Sequence, residues 1–156
     1  MRFSLIDRIT SLEPGRSITA IKTLSLAEEY LADHFPGFPV MPGVLMLESM
    51  VQAGAWLMRA TGEFRHSTIL LKQAKAVRFN NFVLPGQTLT VELTVLKQAE
   101  DQWTFKGTGT VQGAGAVNAR LVLDQFNLAD HNPDMAKSDQ LRTETMRELF
   151  TQLWKN

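Results

Sequence analysis

The chain has 156 residues, 44% of them hydrophobic, and its sixteen Lys and Arg are balanced by sixteen Asp and Glu. That size and apolar content suit one domain with one buried core, and a formal charge of zero leaves no molecule-wide field to draw it to nucleic acid or an anionic membrane. Cysteine is absent and the three histidines lack metal-ligand spacing, so disulfides, thiolate chemistry and a resident metal are not expected. Acid/base work falls to His, Asp and Glu.

At the N-terminus, Arg2, Asp7 and Arg8 break up the short apolar stretch that an export signal would need, so a soluble, cytoplasmic protein is expected. Residues 3 to 11 and 17 to 26 carry apolar or β-branched residues on either side of the turn signal Glu13-Pro14-Gly15 and predict two strands. A long loop then runs to Pro42. From Gly43 to Arg59 the run GVLMLESMVQAGAWLMR predicts a helix enclosed on most sides, with Pro42 at its first position and Thr61-Gly62 as a stop. It is too short for a membrane span and contains Glu48, Gln52 and Arg59. Gly54 in mid-helix predicts close passage of a strand backbone.

Further on, residues 68 to 79, 87 to 98, 102 to 112 and 116 to 126 alternate or are β-branched, with breaks at Pro85-Gly86, Glu100-Asp101 and Gly113-Ala114-Gly115. They predict consecutive antiparallel strands. One apolar helix and about six strands bury their apolar faces best as a curved sheet wrapped around the helix. The expected division is a domain over residues 1–130 and a C-terminal extension over 131–156. In the extension, Leu141, Met146, Leu149, Phe150, Leu153 and Trp154 fall near helical spacing, with Ser138 as the N-cap of an amphipathic helix.

The segment that carries chemistry is His34-Phe35-Pro36-Gly37-Phe38-Pro39-Val40-Met41-Pro42-Gly43, followed by the helix with Glu48. Three prolines at a spacing of three are expected to push Phe35, Phe38 and Met41 toward extended backbone and so hold the loop stiff. No Ser, Thr, Asp or Asn stands just before Pro42 to cap the helix, so its first amides, starting with Gly43, stay free to stabilise a thioester oxygen that gains charge. Glu48, about one and a half turns along, is expected to be largely desolvated, with a raised pKa and with Gln52 orienting it from the next turn. Such a carboxyl can give a proton to a leaving hydroxyl, while His34 takes one from carbon.

These residues, with Leu5-Ile6-Asp7-Arg8-Ile9, Leu12-Glu13-Pro14-Gly15, Ala20-Ile21-Lys22, Val77-Arg78-Phe79 and Val83-Leu84-Pro85-Gly86, resemble the 3-hydroxyacyl-acyl carrier protein dehydratases of FabZ type over about residues 3 to 128. The resemblance implies an α+β hot-dog fold, an antiparallel sheet wrapped around a long central helix, here with an extra C-terminal helix. It implies a homodimer formed by extending the sheet, with a shared active-site tunnel, and often a trimer of dimers. It further implies that His34 is the base and Glu48 the acid, that the Gly43 amide holds the carbonyl, that the Val40 carbonyl orients the imidazole, and that Gln52 holds the carboxylate. No cofactor is implied, since the substrate arrives on the phosphopantetheine of acyl carrier protein. Glu48, where the FabA type has Asp, favours dehydration without double-bond isomerisation.

Phe35, Phe38 and Met41 are candidates to line the acyl tunnel, as are Trp56 and Trp103, although aromatic residues in such a fold are commonly core. Arg59, Arg65, Lys72, Lys75 and Arg78 are candidates for a basic face toward the acidic carrier protein. His66 and His131 are expected to face solvent. Asp33 stands where the family usually has Gly, and a charge there would raise the His34 pKa if its side chain points inward. Two rivals stay open: a hot-dog acyl thioesterase, and a catalytically weak acyl-binding or assembly homologue.

Overall fold

The architecture is that of a computed structural model, which describes residues 3–155; Arg2 and Asn156, the last residue of the expected C-terminal segment, lie outside it. Six strands form one antiparallel sheet: β1 (Arg8–Glu13), β2 (Ser17–Thr23), β3 (Thr68–Phe79), β4 (Thr88–Gln98), β5 (Gln102–Val111) and β6 (Ala114–Phe126). Their order across the sheet is β1-β2-β4-β5-β6-β3. The helix α1 (Gly43–Thr61) lies in the hollow of the sheet, and α2 (Ala136–Leu153) follows β6.

The sheet curves because its alternating residues divide between two faces and because bulges interrupt four of its five pairings. Its inner rows run straight across the register: Ile18 opposite Leu93, Leu93 opposite Gly107, and Gly107 opposite Ala119. All of these rest toward α1, whose Met50, Ala53, Leu57 and Met58 are buried. A Cβ on Gly54 would lie 3.0 Å from Leu123 Cδ1 and 3.5 Å from the Phe105 ring. The close approach is therefore by side chains of the sheet, where the sequence predicted a strand backbone.

Three Pro-Gly pairs make turns of one kind. Arg16 N–H donates to the Glu13 carbonyl at 3.0 Å, Phe38 N–H to Phe35 at 2.8 Å and Gln87 N–H to Leu84 at 2.9 Å. Proline at the second position and glycine with φ of 72°, 90° and 87° at the third make each a type II turn. The β5–β6 hairpin instead turns on Gln112 and Gly113, both at positive φ, one step earlier than the Gly113-Ala114-Gly115 break predicts.

Four sequence expectations need correction. The first strand begins at Arg8, because Leu5 and Ile6 owe their apolar character to burial in the core beside α1 and pair with no strand. Pro42 (φ −55°, ψ 136°) is the N-cap of α1, one step outside the helix. Phe35 precedes a proline yet has φ 49°, a left-handed backbone a bulky residue rarely adopts, held there by the turn that follows it. Ser138 lies inside α2, whose N-cap is Met135 with no side-chain cap; the cap stands one turn earlier, where Asn132 accepts the Asp134 amide at 3.1 Å at the head of the 3-10 turn Pro133–Met135. The same side of the fold holds Asp139, buried in the first turn of α2, which accepts the amides of Leu128 at 2.9 Å and Ala129 at 2.8 Å and the hydroxyl of Ser67. That carboxylate fastens α2 to the end of β6 and the start of β3. Phe150 completes the docking, 6.0 Å from the Trp56 ring and 5.5 Å from Phe64.

Candidate active site

Each half of the expected acid/base pair stands in its own cavity. His34, partly buried, lines a cavity of about 400 Å³ with Phe35, Val40, Met41, Gly43, Met46, Phe79, Asn80, Asn81 and Phe82. Its ring lies 4.4 Å from that of Phe35. The loop that carries it is anchored beyond the turn, where Met41 N–H donates to the Val83 carbonyl at 2.9 Å and both Val40 and Met41 are 1% exposed. Val40 is thus next to the imidazole, but no hydrogen bond joins His34 to the Val40 carbonyl in this chain. Asp33 is exposed and forms no ion pair with His34, so its side chain does not point inward.

Gly43 opens α1 with no side-chain cap ahead of it, and the first backbone hydrogen bonds of the helix are those of Leu45 and Met46 to Pro42. Gly43 thus lines the His34 cavity with an amide that has no acceptor among the described residues. A Cβ at this position would meet the Phe79 ring at 3.1 Å. The missing side chain makes room for Phe79, which no local sequence pattern places here. Phe35 and Met41 line this cavity; Phe38 does not, and lies edge-on to the lining residue Phe82 at 5.7 Å.

Glu48 and Gln52 are neighbours on α1, with Gln52 Nε2 donating to Glu48 Oε1 at 3.2 Å and to the Phe3 carbonyl at 3.3 Å, and Gln52 Oε1 accepting the Leu5 amide at 2.8 Å. They line a second cavity, of about 480 Å³, between α1 and α2, together with Trp56, Arg59, Met146 and Leu149. Glu48 is only partly buried in a single chain, less than the sequence predicts. Trp56 belongs to this cavity, whereas Trp103 is core, 2% exposed. Arg59 is also not on a basic face. Its guanidinium sits over Trp56 at 5.1 Å, its Nε is buried without a partner, and burial lowers its pKa to about 10. Arg65, Lys72, Lys75 and Arg78 are exposed, as is His131, while His66 is partly buried.

The edge strand β3 has no neighbour on its outer side and leaves Leu70 and Phe79 more than half exposed. Among the described residues no helix is long and apolar enough to cross a membrane.

A single antiparallel sheet wrapped around a central helix defines the hot-dog class. A family model described as a FabA-like domain matches residues 1–123, and the chain belongs to that family. Among curated relatives, the 3-hydroxyacyl-(acyl-carrier-protein) dehydratase FabZ of Magnetococcus marinus is 43% identical over 122 residues, 77% of this chain and 80% of the relative. The protein of the same name from a Janthinobacterium species is 38% identical over 132 residues, 83% of this chain and 85% of the relative. Among solved structures, the dehydratase heterocomplex ApeI:P from Xenorhabdus doucetiae has a TM-score of 0.69 at 21% identity, covering 85% of this chain and 89% of that one. The smu.793 protein from Streptococcus mutans, bound to acetyl CoA, has a TM-score of 0.60 at 13% identity, over 81% and 93%. At those identities the two structures show the fold alone. The matched region ends at residue 123, short of α2.

Proposed function

We propose that this chain is a FabZ-type dehydratase of the cytoplasm that removes water from (3R)-3-hydroxyacyl thioesters on acyl carrier protein, with His34 of one copy facing Glu48 of another. The observation that carries the reading is that His34 and the unclaimed Gly43 amide share one cavity while Glu48, held by Gln52, stands in a different one. Neither cavity alone holds both the imidazole and the carboxyl. The open edge of β3, with its exposed Leu70 and Phe79, is the surface through which a second copy would continue the sheet. Dimers would then assemble as a trimer of dimers, each chain consisting of a catalytic domain over 1–130 and the extension over 131–156.

In the reaction, His34 takes the proton from C2 and the C2–H pair moves into a C1–C2 double bond, placing charge on the thioester oxygen. The Gly43 amide and the positive end of α1 stabilise that oxygen. The enolate then expels the C3 hydroxyl as Glu48 protonates it, leaving a trans-2-enoyl thioester and water. Relay of one proton from His34 to Glu48 restores both groups, so the chemistry balances without a cofactor.

A thioesterase of the same fold would instead release thiol. Incubation of the purified protein with a crotonyl thioester separates the two, with formation of the 3-hydroxy product and no free thiol expected. His34→Ala should slow hydration by about 10²- to 10⁴-fold. Thiol release, or hydration at the same rate in His34→Ala with the fold intact, would sink the proposal.

A further inference from the structure

The cavity that holds Glu48 continues well past the acid. Glu48, Gln52, Ala55, Trp56 and Arg59 fall on one stripe of α1, all lining the same cleft. Eleven residues at 1.5 Å each place Arg59 about 16 Å along the axis from Glu48, and a helical arginine leans back toward the N-terminus, shortening the gap. The opposite wall is α2, which supplies Thr145, Met146, Glu148, Leu149 and Gln152. Near Glu48 the cleft is bounded by Phe3 and Ser4. At about 480 Å³ it is large enough for a medium-length acyl chain.

Val51, Ala55, Trp56, Ile69, Met146 and Leu149 give the cleft an apolar stretch that suits a hydrocarbon, and Arg59 stands beside it. Its guanidinium stacks on Trp56, its buried Nε donates to nothing among the described residues, and none of the ion pairs among those residues includes it. A guanidinium donor buried without a partner is unfavourable unless an acceptor arrives. Glu148 also lines the cleft and does not pair with Arg59, so the same cavity holds an acceptor as well as a donor.

Resting on the dehydratase reading above, we infer that the α1–α2 cleft receives the far end of the acyl chain and that Arg59 donates to an oxygen carried there, so that the enzyme prefers acyl groups with a polar terminus over those ending in methyl. The wall opposite Arg59 comes from α2, beyond the region matched by the family. A terminal hydroxyl fits best, because it can accept from Arg59 and remain neutral in a cleft that also holds the Glu148 carboxylate.

The test uses two saturated acyl-pantetheine amides of equal length, one ending in hydroxyl and one in methyl, titrated into the full-length protein by calorimetry. The hydroxyl-terminated compound is expected to bind roughly tenfold or more tightly, the scale of a hydrogen bond to a charged donor. Arg59→Met, which keeps a long side chain against Trp56, should erase or reverse that preference. If Arg59→Met does not fold, Arg59→Gln should shrink it to about a few-fold. Equal binding of both compounds by the wild type, or an unchanged preference in the variant, overturns the inference. Hydration of a crotonyl thioester, too short to reach Arg59, is measured on the wild type in parallel. Hydration without terminal preference defeats this inference alone, whereas terminal preference without hydration defeats the dehydratase reading and leaves the cleft.

Discussion

Gln52 bonds to Glu48 across one turn of α1, its amide on Glu48 Oε1 at 3.2 Å, while its carbonyl oxygen accepts the Leu5 amide at 2.8 Å. One side chain thereby fixes the rotamer of the expected acid and ties the segment ahead of β1 to the central helix. Gln52→Leu keeps the volume and removes both contacts. It is expected to cost about 1–3 kcal/mol through the orphaned Leu5 amide. On the proposed mechanism kcat falls more than KM rises, because the carboxyl loses its orientation. Chemical denaturation and steady-state hydration kinetics check the two effects separately.

The proposed sharing of the site between two chains is tested by complementation. His34→Ala and Glu48→Gln proteins, each inactive alone, are refolded together. A random mixture of dimers in which every heterodimer regains one intact site should recover roughly a quarter of the wild-type rate. Recovery of nothing, with mixed dimers shown by mass spectrometry, would place both groups in one chain and overturn the shared site.

Gly43 is packed face to face with Phe79, so Gly43→Ala forces the ring to give way by a few tenths of an ångström. The expected loss is about 1–3 kcal/mol of stability, as for other overpacked sites, with a fall in activity as the ring moves toward His34. Shrinking the neighbour should relieve it. If Gly43→Ala with Phe79→Leu is no more stable than Gly43→Ala alone, the contact is not what the alanine disturbs.

Asp139 is subject to opposing influences. Burial pushes its pKa up, but the Ser67 hydroxyl, the amides of Ala129 and Leu128 and the nearby Arg142 together hold it below the ordinary 3.8. A carboxyl depressed in the folded state lends stability that is fully present above its unfolded value and lost as pH falls through the folded one. The docking of α2 should therefore loosen only below about pH 3.8. In Asp139→Asn the acid-dependent part of that loosening disappears and α2 amides exchange faster at neutral pH. Hydrogen exchange resolved over residues 136–153 distinguishes this from global unfolding.

Much of the fold could be read from residues with a single conformational meaning. Pro14-Gly15 and Pro85-Gly86 marked turns because proline presets the second position of a turn and glycine takes a positive φ at the third, and the apolar run after Pro42 could bury itself only as a helix inside a sheet. Leu5 and Ile6 misled, since burial against α1 and burial within a strand leave the same apolar trace. Phe35 misled for a different reason: the usual steric preference before proline was overruled by the hydrogen bond closing the turn on Phe38. Within the site, the pairing of Glu48 with Gln52 followed from helical spacing. The roles of Phe79, Arg59 and Asp139 did not, because each depends on a partner more than thirty residues away or on a burial that no local pattern records.

The unpaired rim of β3 bears on how the protein must be handled. Its backbone groups will bond to whichever extended segment reaches them first, native partner or not. Recovery from denaturant should consequently peak at an intermediate protein concentration: very dilute chains find no mate, and crowded ones meet partly folded neighbours before their own α1 has settled.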